Sequence, residues 1–117
     1  MGRKSREKGK RGEREFAKYC REHGYDCRRG QQYSGLGGDD VVGLPNIHIE
    51  VKRTERLNLR DAIGQSVRDA AGKLAIVAHR KNNEDWVIIM TGEDFFRLYA
   101  KSSYGEEQDG TDTSEPV

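Results

Sequence analysis

The sequence predicts a single α/β domain, a central mixed β-sheet flanked by helices, and three observations lead there. The chain has 117 residues, room for one domain and not comfortably two. Ile47, Ile49 and Val51 alternate with His48, Glu50 and Lys52, the period of a strand. Two other segments, around Phe16 and Ile63, carry their apolar residues at helical spacing.

Taken in order, Gly2 to Gly12 is charged and apolar-free and reads as a basic flexible arm or contact surface. From Glu13 to His23, Phe16, Tyr19 and Cys20 stand at i, i+3 and i+4, and Gly24 is a natural stop. Tyr25 to Arg29 is a short strand, and Gly30 to Gly38 a Gly/Gln/Ser loop. Asp40 to Leu44 reads as a brief strand ended by the turn at Pro45-Asn46. The alternating strand 47–52 follows, with its isoleucines and valine directed to the core. Asn58 is a plausible N-cap for a helix whose face is Leu59, Ile63, Val67 and Ala70/Ala71, closed by Gly72. Leu74–His79 and Trp86–Met90 are two strands around the turn at Lys81 to Glu84. Thr91-Gly92-Glu93-Asp94 resembles a capping box with Asp for Glu, opening a last helix through Phe95, Phe96, Leu98 and Tyr99. The order is therefore α-β-β-β-α-β-β-α. Composition divides the chain into the arm 1–11, a domain 12–101 and an acidic tail 102–117 expected to be disordered.

Charged residues make up 35% of the chain and apolar ones 33%, so the core must be small. No apolar run is long enough to span a bilayer, and no secretory segment follows Met1. Cys20 and Cys27 make neither a disulfide framework nor a four-ligand zinc site, which fits a reduced cytoplasmic setting. The net charge of +1 conceals a strong polarity. Residues 1–14 hold seven Lys/Arg against two acids, residues 101–117 hold one against five, and the stretch between is balanced. Because fields act over roughly a Debye length, about 10 Å, the basic end still attracts phosphate.

The chemistry concentrates between Asp40 and Lys52. Alternate strand residues share a face, so His48, Glu50 and Lys52 project together. Two carboxylates, one on this strand and one on the strand before it, are hard oxygen donors suited to Mg²⁺. An adjacent lysine can orient or deprotonate a water and neutralise charge building on a phosphate. Asp39 and Asp40 both qualify as the second carboxylate; Asp40 opens the apolar strand, and Asp39 suits the turn.

Four segments in this order resemble the PD-(D/E)xK nuclease superfamily, and within it the archaeal-type Holliday junction resolvases and their phage-borne relatives. They are Lys10-Arg11-Gly12-Glu13-Arg14-Glu15-Phe16, Asp40-Val41-Val42-Gly43-Leu44-Pro45, Ile47-His48-Ile49-Glu50-Val51-Lys52-Arg53, and the helix with Gln65. The resemblance covers roughly residues 8–100. It implies a restriction-endonuclease-like domain, with Asp40 and Glu50 holding Mg²⁺ (Mn²⁺ as a substitute), Lys52 serving the attacking water and Glu13 as an outer acid. Glu15 lies roughly 200° round the helix from Glu13, so only one of them faces the site. The family motif often has Pro before the metal-binding Asp; here that slot holds Asp39. Ser34, Gln65 and His48 are possible supporting residues.

The resemblance further implies an endonuclease acting on four-way junctions or other branched DNA, as a homodimer placing two sites on paired strands. Phe95, Phe96, Leu98 and Tyr99 can supply an apolar contact patch. Basic residues gather at the arm and at element ends: Arg3, Lys4, Lys8, Lys10, Arg11, Arg28, Arg29, Arg53, Arg80 and Lys81. Together they suit salt-dependent phosphate contacts. Tyr33 in the glycine-rich segment is of a type that could stack on an unpaired base. No base-reading helix is visible, which favours structure-selective over sequence-selective binding. The alternatives are another nuclease of the superfamily acting on duplex DNA, or a DNA-binding module of this fold that does not cut.

Overall fold

The computed structural model describes residues 2–30 and 38–105, with side chains from Gly9 onward. Its elements are α1 (Gly2–Glu22), β1 (Arg28–Arg29), β2 (Val41–Val42), β3 (Ile47–Arg53), α2 (Leu59–Ala70), β4 (Leu74–Arg80), β5 (Val87–Ile89) and α3 (Gly92–Lys101). This is the element order expected from the sequence, and the α/β class holds.

β3 and β4 are parallel, from Ile47 opposite Leu74 to Arg53 opposite Arg80, and α2 is the crossover between them. β5 adds to β4 antiparallel, which makes the sheet mixed, in the order β3-β4-β5. β1 and β2 form a separate antiparallel ribbon. It is tied to β3 by Asp40 N donating to Ile49 O at 2.9 Å.

α1 lies against β3 and the ribbon, and its Phe16, Ala17 and Cys20 join Cys27, Val41, Ile49, Leu74, Ile76 and Ala78 in the main core. Burial and the neighbouring Cys27 push the Cys20 thiol up to about 12, and both cysteines are free. On the other side of the sheet α2 packs on β4 and β3, with Ala62 and Ile63 against Val77. No helix among the described residues is long and apolar enough to cross a membrane.

Three local differences from the sequence expectation have physical causes. α1 runs back through the basic segment to Gly2, well before the apolar periodicity begins at Glu13. Lys, Arg and Glu are good helix formers that leave no hydrophobic signal. The buried face of α2 is Ala62, Ile63, Ser66 and Ala70, while Leu59 and Val67 are exposed. Small side chains bring the helix close to the sheet, and Ser66 Oγ satisfies itself by donating to Ile76 O at 2.9 Å. At α3, Thr91 caps the helix by accepting from Asp94 N. The Asp94 carboxylate, however, turns to the sheet, accepting from Ala75 N at 3.1 Å and from Arg97 at 2.8 Å. Asp94 thus fastens α3 to β4 and does not close a capping box. The aromatic face of α3 remains exposed.

Candidate active site

The site is built where β2, β3, α1 and α2 converge. β3 is covered on both faces, so its polar residues are not a solvated edge: His48 and Glu50 are 1% and 4% exposed. His48, which shares the Glu50 face of the strand, is enclosed under α2.

Asp40 stands at the start of β2, and its Oδ2 accepts from Val51 N at 2.8 Å. Gly30 allows this approach. Its N–H donates to Asp40 O at 2.8 Å, and a Cβ there would lie 2.1 Å from Asp39 O. Glu50 feels the Asp40 charge. Burial first, and then Asp40, push the Glu50 carboxyl up to about 7, against the pull of His48 and Lys52. Glu13, on α1, is also raised, chiefly by burial and further by Asp40, with its Arg29 hydrogen bond opposing. Arg29 Nε donates to Glu13 Oε1 at 2.8 Å. Glu15 points elsewhere, taking Arg53 at 2.9 Å and Arg80 at 3.5 Å. Of the two helix acids, Glu13 is the one electrostatically joined to Asp40.

Lys52 Nζ donates to Gln65 Oε1 at 3.3 Å, which brings the supporting glutamine of α2 to the lysine of β3. His48 Nε2 lies 2.8 Å from Glu50 Oε2, and its Nδ1 meets Asp39 Oδ1. The two neighbouring aspartates have thus separated: Asp40 toward Val51 and the Glu13 and Glu50 charges, Asp39 toward His48 and Lys73, whose Nζ is 3.4 Å away. Two acids that repel each other's ionised form, beside a lysine, can hold a divalent cation: their hard oxygens suit Mg²⁺, and the cation supplies the charge that the pair lacks.

Ser34 and Tyr33 lie outside the described residues, as do the side chains of Arg3, Lys4 and Lys8 and most of the acidic tail. Lys10, Arg11, Arg28 and Lys81 are exposed. Arg29 and Arg53 are engaged with Glu13 and Glu15, and Arg80 Nε donates to Glu84 O at 2.6 Å. Sequence reasoning missed Asp69. Its ligating oxygen stands with those of His48 and Glu50 in a group all within 4.8 Å of one another. The signal was present: Asp61, Gln65 and Asp69 recur every four residues, one polar stripe along α2.

No protein-family model matches the chain, and no curated sequence matches it at a significant level. Among solved structures, it is similar to Hjc of Archaeoglobus fulgidus, a Holliday junction resolvase from an archaeal hyperthermophile. Identity is 27% and the TM-score 0.55, over 71% of this chain and 72% of that one. The likeness seen in the motifs therefore extends to the fold, and the chain is a structural relative of the archaeal-type Holliday junction resolvases of the PD-(D/E)xK superfamily.

Proposed function

We propose that the chain is a metal-dependent endodeoxyribonuclease that hydrolyses phosphodiester bonds in branched DNA, above all four-way junctions. One observation carries the reading: a fold shared with a resolvase brings Asp40, Glu50 and Lys52 together on β2 and β3, with Glu13 linked to Asp40 through its charge. Asp40 and Glu50 would hold Mg²⁺, or Mn²⁺ in its place; when bound, such an ion would supply Lewis-acid polarisation of a phosphate oxygen and a lowered pKa for a water.

The protein's own groups do the rest. The bond from Val51 N fixes the Asp40 carboxylate on the sheet. Lys52, steadied by Gln65, orients the water and offsets charge as the phosphate becomes five-coordinate. Glu13 serves as an outer acid, its carboxylate positioned by Arg29. His48 backs Glu50 from the α2 side. For Ser34, the resemblance to the resolvases implies a supporting role near the scissile phosphate.

Arg3, Lys4, Lys8, Lys10 and Arg11 form a basic arm on DNA phosphates, joined by Arg28, Arg29, Arg53, Arg80 and Lys81 at element ends. Two chains pair through the exposed Phe95, Phe96, Leu98 and Tyr99, so that two sites meet the two strands to be cut. Such an enzyme works in the cytoplasm, in that of the host if phage-encoded, in recombination or the clearing of branches.

The test sets a synthetic four-way junction beside a matched linear duplex, with Mg²⁺ or EDTA, for the natural chain and Asp40→Asn. Symmetric cutting of the junction alone, lost in EDTA and in the variant, supports the reading. Equal cutting of both substrates makes it a general duplex nuclease. Tight binding with no metal-dependent cleavage overturns the enzyme and leaves a DNA-binding module. Removing residues 1–11 is expected to weaken junction binding and flatten its salt dependence; an unchanged salt slope would remove the arm from the interface.

A further inference from the structure

Beneath α2 a buried imidazole stands between two carboxylates. His48 is 1% exposed. Its Nδ1 meets Asp39 Oδ1, and its Nε2 lies 2.8 Å from Glu50 Oε2. A neutral imidazole has one N–H, so it can donate to Asp39 or to Glu50 but not to both. The other contact sets a nitrogen lone pair against a carboxyl oxygen, a pair that a proton holds together in the metal-free chain and that a metal ion can bridge in the proton's place.

The surroundings suit a metal ion in that position. Asp69 adds a third donor atom, and all three lie within 4.8 Å of one another. The three come from two rigid elements, His48 and Glu50 from β3 and Asp69 from α2. Asp39 occupies Nδ1, the arrangement in which an outer carboxylate fixes a ligating histidine's tautomer and leaves Nε2 for the metal. Asp39 is itself held from outside by Lys73, at 3.4 Å. Asp39, Glu50 and Asp69 gather here, offset by Lys73 on Asp39 and by Lys52 near Glu50.

We propose that His48, Glu50 and Asp69 bind one first-row transition-metal ion, Zn²⁺ or Mn²⁺, at a position distinct from that between Asp40 and Glu50. An imidazole with two carboxylates is a mixed donor set that Zn²⁺ accepts readily, whereas Mg²⁺ favours oxygen alone. The site shares Glu50 with the proposed catalytic pair but stands on its own geometry. An ion held there also fixes the Glu50 carboxylate.

The full-length chain is titrated with ZnCl₂ while the side-chain ¹⁵N resonances of its three histidines, His23, His48 and His79, are followed. His23→Gln and His79→Gln identify the remaining signal as that of His48. The expected result is a shift of the His48 Nε2 resonance, complete at one equivalent of Zn²⁺ and not reproduced by millimolar Mg²⁺. Asp69→Asn, an isosteric change on a half-buried helix residue, should weaken Zn²⁺ binding at least about tenfold. Asp39→Asn should do so by roughly ten- to a hundredfold, the usual cost of an outer partner. Circular dichroism checks that both variants are folded. A response confined to His23 or His79, unchanged affinity in folded Asp69→Asn, or an equal shift with Mg²⁺ overturns the site. Failure of Mg²⁺-dependent junction cleavage would sink the enzyme reading alone and leave the Zn²⁺ result standing.

Discussion

The two faces of β3 are equally enclosed and chemically opposite. Toward α1, Ile49 is fully buried among Phe16, Ala17 and Val41, with Ile47 and Val51 at its flanks. Toward α2, His48 and Glu50 are just as closed to water, yet they meet Asp39 and each other, while Lys52 meets Gln65. The apolar face stabilises the fold by removing surface from water. The polar face opposes folding, since ionisable groups lose hydration and recover it only through their partners. A strand that gives one whole face to such groups trades stability for chemistry, as functional sites do.

The contrast can be tested by trimming each face in turn. Ile49→Ala opens a cavity in the tight core and is expected to cost about 2–5 kcal/mol in denaturant unfolding. Glu50→Gln keeps its shape and should leave the metal-free chain at least as stable at pH 8, while junction cleavage is abolished. If Glu50→Gln destabilises as much as Ile49→Ala, the two faces do not differ in kind.

A pH series sharpens the second half of the comparison. The folded Glu50 carboxyl titrates at about 7 against an ordinary 4.5. Its contribution is therefore fully present below about pH 4.5 and lost as pH rises through about 7. The stability of the metal-free natural chain minus that of Glu50→Gln should fall with rising pH across this window, by at most about 1.4 kcal/mol per pH unit. A flat difference would mean that burial does not hold the proton on Glu50.

Smaller effects probe how α2 covers the polar face. Ser66→Ala leaves Ile76 O without its buried donor and should cost about 1–3 kcal/mol. Leu59→Ala and Val67→Ala, on the exposed side of the same helix, should stay within about 0.5 kcal/mol of the natural chain. Substantial loss at Leu59 or Val67 would restore the helix face that the apolar spacing suggested.

The residues explain why some of this was legible and some not. Asn58 and Thr91 announced their helices because a cap is a local bond, made within three residues. The period of two around Ile49 likewise placed Glu50 and Lys52 on one face. The orientation of α2 was not legible, because its inner face is made of small and polar residues chosen by fit to the sheet. Its apolar spacing pointed to Leu59 and Val67 instead. Asp39 and Asp40 are adjacent and identical in type. Only the pairing of the ribbon with β3, through Asp40 N and Ile49 O, sends one to Val51 and the other to His48.

By itself, then, the sequence determined the element order, the alternation that puts Glu50 and Lys52 together, and the resolvase-like motifs. All of these are properties of short stretches of chain. The tertiary structure decided that the polar face is buried and that Asp69 joins His48 and Glu50, and it sets Glu13, the acid the resemblance named, within reach of the Asp40 charge. Those facts depend on how a crossover helix and an N-terminal helix close over a parallel strand pair. Such packing is set by the shapes of surfaces distant in sequence, to which no local period is sensitive.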